Sequence, residues 1–410
     1  MPDLTATQRE PRIWRSLIPL LSCGVLLVAC SSPRQAPSFH INGPAVGRWV
    51  STAQPGEALG ANPAGAFGGV DWFGWGGFCT SLKSSNLMCT QGAVFHPTAG
   101  AWQSVSNVGA PSPRRRLVVV STDQGFFMWG GICESELACG DGAIYQPLSD
   151  SWSPVTSTGA PSPRFDPFAY VTPTEVIVWG GAQPTPPSQH LPSVSLGDGG
   201  AYNLIKKTWR PLSSIGAPSI RYGSAVVAAG TDMVVWGGVA DHRVLSDGAI
   251  YHPTTDTWEP IETTGAPEGR FLPLALWMGR EMLVFGGSCG TPDSIGAFKL
   301  CNDPGFAYDP AKRHWRTIAA GLQPSSGPVA AWTGTRAFIW GGSGTCCSGE
   351  SCTCNQGGLY DPVADSWQAV QTDGAPTNGP AYWIGDSVLI VPATDSTGIF
   401  PARYFPPINQ

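Results

Sequence analysis

The stretch GAIYHPTTDTWEPIETTGAPEGR, residues 248–270, nearly repeats GAIYQPLSDSWSPVTSTGAPSPR, residues 142–164. A phrase that returns within one chain points to a repeat architecture, in which each copy builds one unit and stacking buries a continuous core. Other pieces return as well. An aromatic followed by Gly-Gly stands at Trp75, Trp129, Trp179, Trp236, Phe285 and Trp340. An aromatic followed seven residues later by Trp pairs Phe95 with Trp102, Tyr145 with Trp152, Tyr202 with Trp209, Tyr251 with Trp258, Tyr308 with Trp315, and Tyr360 with Trp367. Successive Trp residues in that series are 50, 57, 49, 57 and 52 residues apart.

Segments such as EVIVWGG, DMVVWGG, EMLVFGG and RAFIWGG are short, nearly continuous apolar runs. They read as strands covered on both faces, and they are too short for buried helices. The closing Gly-Gly removes Cβ atoms where backbones approach or take positive φ. GAIY starts the next strand, HPTTD or QPLSD makes a tight turn, and Trp opens an outer strand. GAPSPR then leads to the next unit. Composition agrees: 52 Gly and 39 Pro with 13% charged residues disfavour long surface helices, while 17 Trp and 16 Phe supply a core. A net charge of −6 without a Lys/Arg run argues against nucleic acid as a partner.

Four short antiparallel strands per unit, stacked radially, make an all-β propeller. These units resemble the kelch repeat, whose pattern is a strand ending in Gly-Gly followed by a spaced Tyr and Trp, over residues 46–405 with a short tail at 406–410. The orphan Trp49 in VGRWV, and three terminal segments (AYWIG, DSVLIVPA, GIFPARYF) without a closing Trp, complement each other. The expectation is seven four-stranded blades, the last completed by the N-terminal strand, with six blades as the runner-up. Such closure hides free strand edges.

Before the repeats, Arg9, Arg12 and Arg15 precede the apolar stretch SLIPLLSCGVLLVA, which reads as a signal-peptide core over residues 1–29. Its end, Leu27-Val28-Ala29-Cys30, resembles the bacterial lipobox, which implies lipidation of Cys30. In lipoproteins, Ser31 after that cysteine implies the outer membrane. Residues 30–45 read as a polar, Pro-containing tether.

Ten cysteines follow, all in loops after Gly-Gly: Cys79 with Cys89, Cys133 with Cys139, Cys289 with Cys301, and the cluster Cys346, Cys347, Cys352 and Cys354. In an exported protein local disulfides are the simplest reading, with three connectivities open in the last loop. Thiolate binding of zinc or copper by that cluster is the sharper and less favoured alternative.

Arg114, Arg164, Arg221 and Arg270 each lie fifteen residues before the aromatic of the next Gly-Gly pair, and repeat symmetry brings them together. The phrases PSSGP and PTNGP carry Gly327 and Gly379 where this reading expects Arg. The resemblance implies a basic arc at a channel mouth that grips an anionic ligand. Replacing Arg164 and Arg221 with Ala then costs binding and spares folding. The favoured expectation is that these arginines satisfy carbonyls at the junctions between blades.

His96 and His252 stand at turn positions where other copies carry Gln146, Asn203, Asp309 and Asp361, which suggests solvent rather than catalysis. Tyr251 beside His252 resembles ligands of galactose-oxidase relatives, without a convincing second Tyr, His and crosslinking Cys set. A mutarotase-type kelch enzyme needs an acid/base pair, for which Glu175, Glu268 and Glu281 are available, but Glu175 and Glu281 stand at strand starts in a hairpin-like context that favours solvation. The reading is a monomeric, lipid-anchored propeller that binds an envelope protein or glycan without cofactor or metal, touching the membrane through its anchor alone. A carbohydrate-active enzyme is the alternative.

Overall fold

The apolar runs that end in Gly-Gly are strands in the computed structural model of the chain, and each is the second strand of a four-stranded antiparallel sheet. The structure describes residues 41, 44–53, 63–77, 91–185, 193–240, 243–290, 299–343, 356–376, 379–391 and 401–407. The chain divides into two units, Met1–Ser38 and Phe39–Gln410, and all described residues belong to the second. The signal, most of the tether and Cys30 lie outside them. Among the described residues there is no helix.

Seven sheets share the four-stranded plan. Their first strands are Ala64–Phe67, Val118–Thr122, Phe168–Val171, Ala225–Ala229, Leu274–Trp277, Val329–Trp332 and Ala381–Trp383, and the sheets are numbered one to seven in that order. Six run first, second, third, fourth strand in chain order. The seventh has Ala381–Trp383, Val388–Ile390 and Ala402–Phe405, and its outer strand is Arg48–Ser51 from the start of the described chain. Arg48 lies opposite Phe405 and Ser51 opposite Ala402.

Period-two alternation explains why the second strands are apolar throughout. In Gly125–Trp129, Phe126 and Met128 pack with Phe73 and Val94 of the first sheet. Phe127 and Trp129 of the same strand pack with Val176 and Val178 of the third. Each side chain that becomes fully buried in this way contributes roughly 1.5–3 kcal/mol. The pattern continues from sheet to sheet: sixth meets seventh through Phe338, Trp340, Val388 and Ile390, and seventh meets first through Leu389, Trp72 and Phe95.

The spaced aromatic pair fastens the second to sixth sheets to the connections that enter them, whereas the buried Trp102 Nε1 of the first sheet has no hydrogen-bond partner among the described residues. Trp152, Trp209, Trp258, Trp315 and Trp367 donate their indole N–H groups to the carbonyls of Ser106, Thr156, Ser213, Glu262 and Ala319 at 2.7–2.8 Å. The Tyr hydroxyls of Tyr145, Tyr251 and Tyr360 donate to the carboxylates of Asp150, Asp256 and Asp365. Those carboxylates also accept the backbone N–H of Ser106, Ser213 and Ala319. Trp49 repeats the arrangement, donating to Gln371 O at 2.6 Å and meeting Trp340 edge-on at 5.1 Å.

Trp49→Ala is expected to destabilise the protein by about 3 kcal/mol through the lost indole packing. Arg48→Ala, which removes a guanidinium stacked over Phe405, is expected to cost about 1 kcal/mol or less. Urea unfolding midpoints of the two variants measure the difference; equal, small losses would mean that Trp49 does not hold the seventh sheet.

Candidate functional site

In every sheet the first strand starts where the second ends: Val118 pairs with Trp129, and Phe168 with Trp179. The arginine-bearing connections therefore share one face with the loops that follow Gly-Gly. First strands of neighbouring sheets also pack on one another, Ala64–Phe67 on Val118–Thr122 and Leu274–Trp277 on Val329–Trp332. The residues just before them lie at one end of these packed first strands, which we call the mouth.

The four arginines are buried there. Their relative exposures are 1% for Arg114, 0% for Arg164, 4% for Arg221 and 0% for Arg270. In the first three, Nε donates to the carbonyl of a serine two residues earlier, Ser112, Ser162 or Ser219, at 2.9 Å. The same serines accept from Nη2 through Oγ. Nη1 of all four donates to the first glycine of the Gly-Gly pair, Gly130, Gly180, Gly237 or Gly286, at 3.0–3.2 Å. Each guanidinium also pairs with an aspartate just before the third strand: Asp141, Asp198, Asp247 or Asp303. Burial pulls the Arg164 pKa down, and the Asp198 charge and hydrogen bond oppose it. Arg270 differs, because Glu268 stands two residues before it and its buried Nε has no hydrogen-bond partner.

Backbone bonds extend the clamp to the preceding sheet. The second glycine of three of the pairs donates to the carbonyl of the next sheet's arginine: Gly77 to Arg114, Gly131 to Arg164 and Gly238 to Arg270. A Cβ on Gly130 would lie 2.7 Å from Arg164 O, so this close passage demands glycine. Each of these arginines is tied by its carbonyl to one sheet and by its guanidinium to the next.

What reaches solvent is the other half of each pair. The side chains of Asp141, Asp198, Asp247 and Asp303 are 55%, 62%, 61% and 31% exposed. An arc expected to be basic is thus acidic at its surface, because the cation is beneath and the carboxylate above. The register also moves the position lacking Arg in the sixth sheet. Ser325 stands there, not Gly327: it is buried, and its Oγ donates at 3.0 Å to Gly341 O as an arginine does elsewhere. Gly327 and Gly379 correspond instead to Arg116, Asp166, Gly223 and Leu272, two residues before a first strand. All six have left-handed φ, from 47° at Asp166 to 121° at Gly379.

Asp and Arg also come and go together. Gln356 precedes the third strand of the sixth sheet, and Gln91 that of the first, where the position fifteen before Trp75 is Gly60, outside the described residues. This internal correlation was present in the sequence and identifies the aspartates that the basic-arc reading missed.

Two cysteine pairs lie as expected. Cys133 and Cys139 are bonded with Cα atoms 5.6 Å apart, and Cys289 and Cys301 with Cα atoms 5.2 Å apart. Their loops dock on the clamps, since Cys133 pairs with Arg114 and Cys289 with Arg270 as strand neighbours. Cys79, Cys89, Cys346, Cys347, Cys352 and Cys354 lie outside the described residues.

The remaining candidates are engaged in pairs at the opposite strand ends. Glu175 holds Arg210 and Glu281 holds Arg316 in two-oxygen contacts, while Glu268 is exposed. His252 Nδ1 is 3.0 Å from Asp232. His96 Nδ1 is 2.8 Å from Asp71 and its Nε2 is 3.1 Å from Gln103. Partial burial lowers the His96 pKa, but the bonds to Asp71 and Gln103 and the Asp71 charge outweigh it and raise the pKa above 6.5.

Two expectations follow for the variants. Arg164→Ala leaves buried carbonyls without donors and is expected to destabilise by about 3–5 kcal/mol in a denaturant titration, the opposite of a binding lesion that spares the fold. A loss under about 1 kcal/mol would remove the clamp. The His96–Asp71 contribution is complete below the unfolded pKa near 6.5 and is lost as pH rises through the higher folded value. The melting temperature of His96→Gln relative to the wild type should therefore rise across that window; parallel pH profiles would mean that the pair is uncoupled from folding.

No curated protein matches the chain. A family model described as the KLHDC2/KLHL20/DRC7 Kelch-repeats domain matches residues 67–287, more than half of the sequence. With its strand ending in Gly-Gly, its Tyr and Trp fasteners and its repeated sheets, the chain belongs to the kelch-repeat family of β-propellers.

Proposed function

We propose that the chain is a seven-bladed binding propeller, each four-stranded sheet one blade, and that Arg48–Ser51 closes the ring as the outer strand of the last. The cyclic succession of core clusters and the Trp49 bond to Gln371 support this reading. The kelch family suggests a protein as partner. Export, lipidation of Cys30 and display at the outer membrane remain part of the proposal on the strength of the sequence before residue 46.

The observation that carries the binding site is the orientation of the Arg–Asp pairs. Four consecutive blades, the second to the fifth, present a half-exposed carboxylate at one structural position, each fixed from below by a buried guanidinium. Groups held in this way need little ordering when a partner arrives. The disulfide-closed loops at Cys133–Cys139 and Cys289–Cys301 stand beside them. A partner bearing Lys or Arg complements this arc, whereas an anionic ligand is repelled by it.

A pull-down of envelope proteins with the full chain tests the reading, run beside a combined Asp141→Asn, Asp198→Asn, Asp247→Asn variant. Asn keeps an acceptor for each guanidinium, and a melting curve reports any loss of fold. A partner whose binding weakens roughly tenfold in the variant, and weakens again with added salt, is expected. Capture indifferent to both would put the binding surface elsewhere.

A further inference from the structure

The mouth is bridged differently between different sheets. Between the second and third, the Arg116 guanidinium pairs with Asp166 and lies over the Phe165 ring at 4.3 Å. Between the fourth and fifth, Phe271 and Leu272 fill the space over Gly223, where an added Cβ would lie 2.3 Å from the Phe271 ring. Between the sixth and seventh, the matching residues are Gly327 and Gly379. A cleft of about 220 Å³ opens there, lined among others by Ser326, Gly327, Val329, Trp340, Ser343 and Gly379.

Steric crowding does not require that opening. A Cβ at Gly327 would meet no atom within 4 Å, and its φ of 64° is close to values that Arg116 and Leu272 adopt with full side chains, 58° and 50°. The walls are rigid all the same. Trp340 is wholly buried, bonded through Nε1 to Pro376 O at 2.8 Å and braced by Trp49. Ser326 and Ser343 exchange both backbone hydrogen bonds, at 2.7 and 2.8 Å, so this wall has no strand edge to offer a peptide backbone.

Size and charge then choose the occupant. At about 220 Å³ the cleft is smaller than the ~300–1,000 Å³ of a site for a whole small molecule or cofactor. It holds one large side chain. Among the described residues none that lines it is ionisable, so a charged side chain would lose water there without gaining a counter-charge from them. We propose that this cleft is an anchor pocket that takes a single uncharged aromatic or branched aliphatic side chain from the partner protein, completing at this junction the bridge that Arg116 or Leu272 makes elsewhere. The proposal rests on the protein-binding reading and assigns it an apolar anchor apart from the carboxylate arc.

The probes are N-acetyl-phenylalaninamide and N-acetyl-leucinamide, with N-acetyl-lysinamide and N-acetyl-aspartamide as charged counterparts. Each is titrated into the full chain while the Val329 methyl resonances are followed by NMR. The neutral amides should give saturable shifts with affinity on the order of 1 mM, and the charged ones at least tenfold weaker responses. Gly327→Leu, which installs the residue of the fifth sheet at a positive φ, should abolish the shifts and lower the melting temperature only modestly. Absence of a saturable Val329 response, or equal responses to charged and neutral amides, overturns the proposal even if Gly327→Leu does not fold. The pull-down with the aspartate variants reports on the arc alone, so either reading can fail while the other stands.

Discussion

The arginine that enters each sheet from the second to the fifth is the contact on which the repeated face depends. A repeat stacked edge to edge gains stability mainly from its neighbours, so whatever fixes one unit against the next fixes the array. Arg114, Arg164 and Arg270 do this with both ends of the residue, the carbonyl bound to the preceding sheet and the guanidinium to the following one. Five donors in a planar fork can satisfy several carbonyls and a carboxylate together, which lysine cannot. The local sequence follows from this use: Ser two residues before in the first three, the first glycine of Gly-Gly sixteen residues on, Asp before the next strand.

The same economy of donors governs the opposite strand ends. Burial, together with the Asp256 hydrogen bond, pushes the Tyr251 hydroxyl up to about 12, so it stays protonated and donates. Asp256 sits below its usual range: burial opposes ionisation, but the Ser213 amide, the Tyr251 hydroxyl and Arg210 overcome it. Arg210 in turn grips Glu175, and Arg316 repeats the set with Glu281, Tyr360 and Asp365. Read from the sequence alone, Glu175 and Glu281 stand at strand starts and are expected to be solvated. In the fold each instead holds a cation that braces two sheets.

The propeller was legible in the sequence because its signal is periodic: two-sided burial makes each second strand apolar, and the Tyr–Trp spacing is set by a hairpin that recurs. The character of the arc was not, because an arginine's position does not tell which way its charge points. That direction is set by Ser112, Ser162 and Ser219 two residues earlier and by carbonyls sixteen residues later, contacts invisible to a motif centred on Arg. The misplacement of Gly327 has a related cause. Matching PSSGP to GAPSPR by its glycine and proline shifts the register by two, whereas the hydrogen bond from Ser325 to Gly341 keeps the spacing of the arginine bonds.

Where symmetry breaks, the chemistry of the mouth changes with it. Keeping Asp without Arg would leave a carboxylate with no partner, and keeping Arg without Asp would bury an uncompensated cation, so the pair can be lost only together. The sixth sheet, with Ser325 and Gln356, shows such a joint loss, and the short serine hydroxyl keeps only the bond to the Gly-Gly carbonyl. Two residues on, the same connection carries Gly327, where the second, third and fifth sheets carry Arg116, Asp166 and Leu272 and the fourth and seventh carry Gly223 and Gly379. One segment of five residues, Ser325 to Val329, therefore departs from the repeat in the clamp and leaves its place at the mouth without a side chain. Departures that leave the sheet order and the core intact fall on the surface a partner meets, which is where a repeat protein can differentiate its copies without disturbing the stack that holds them.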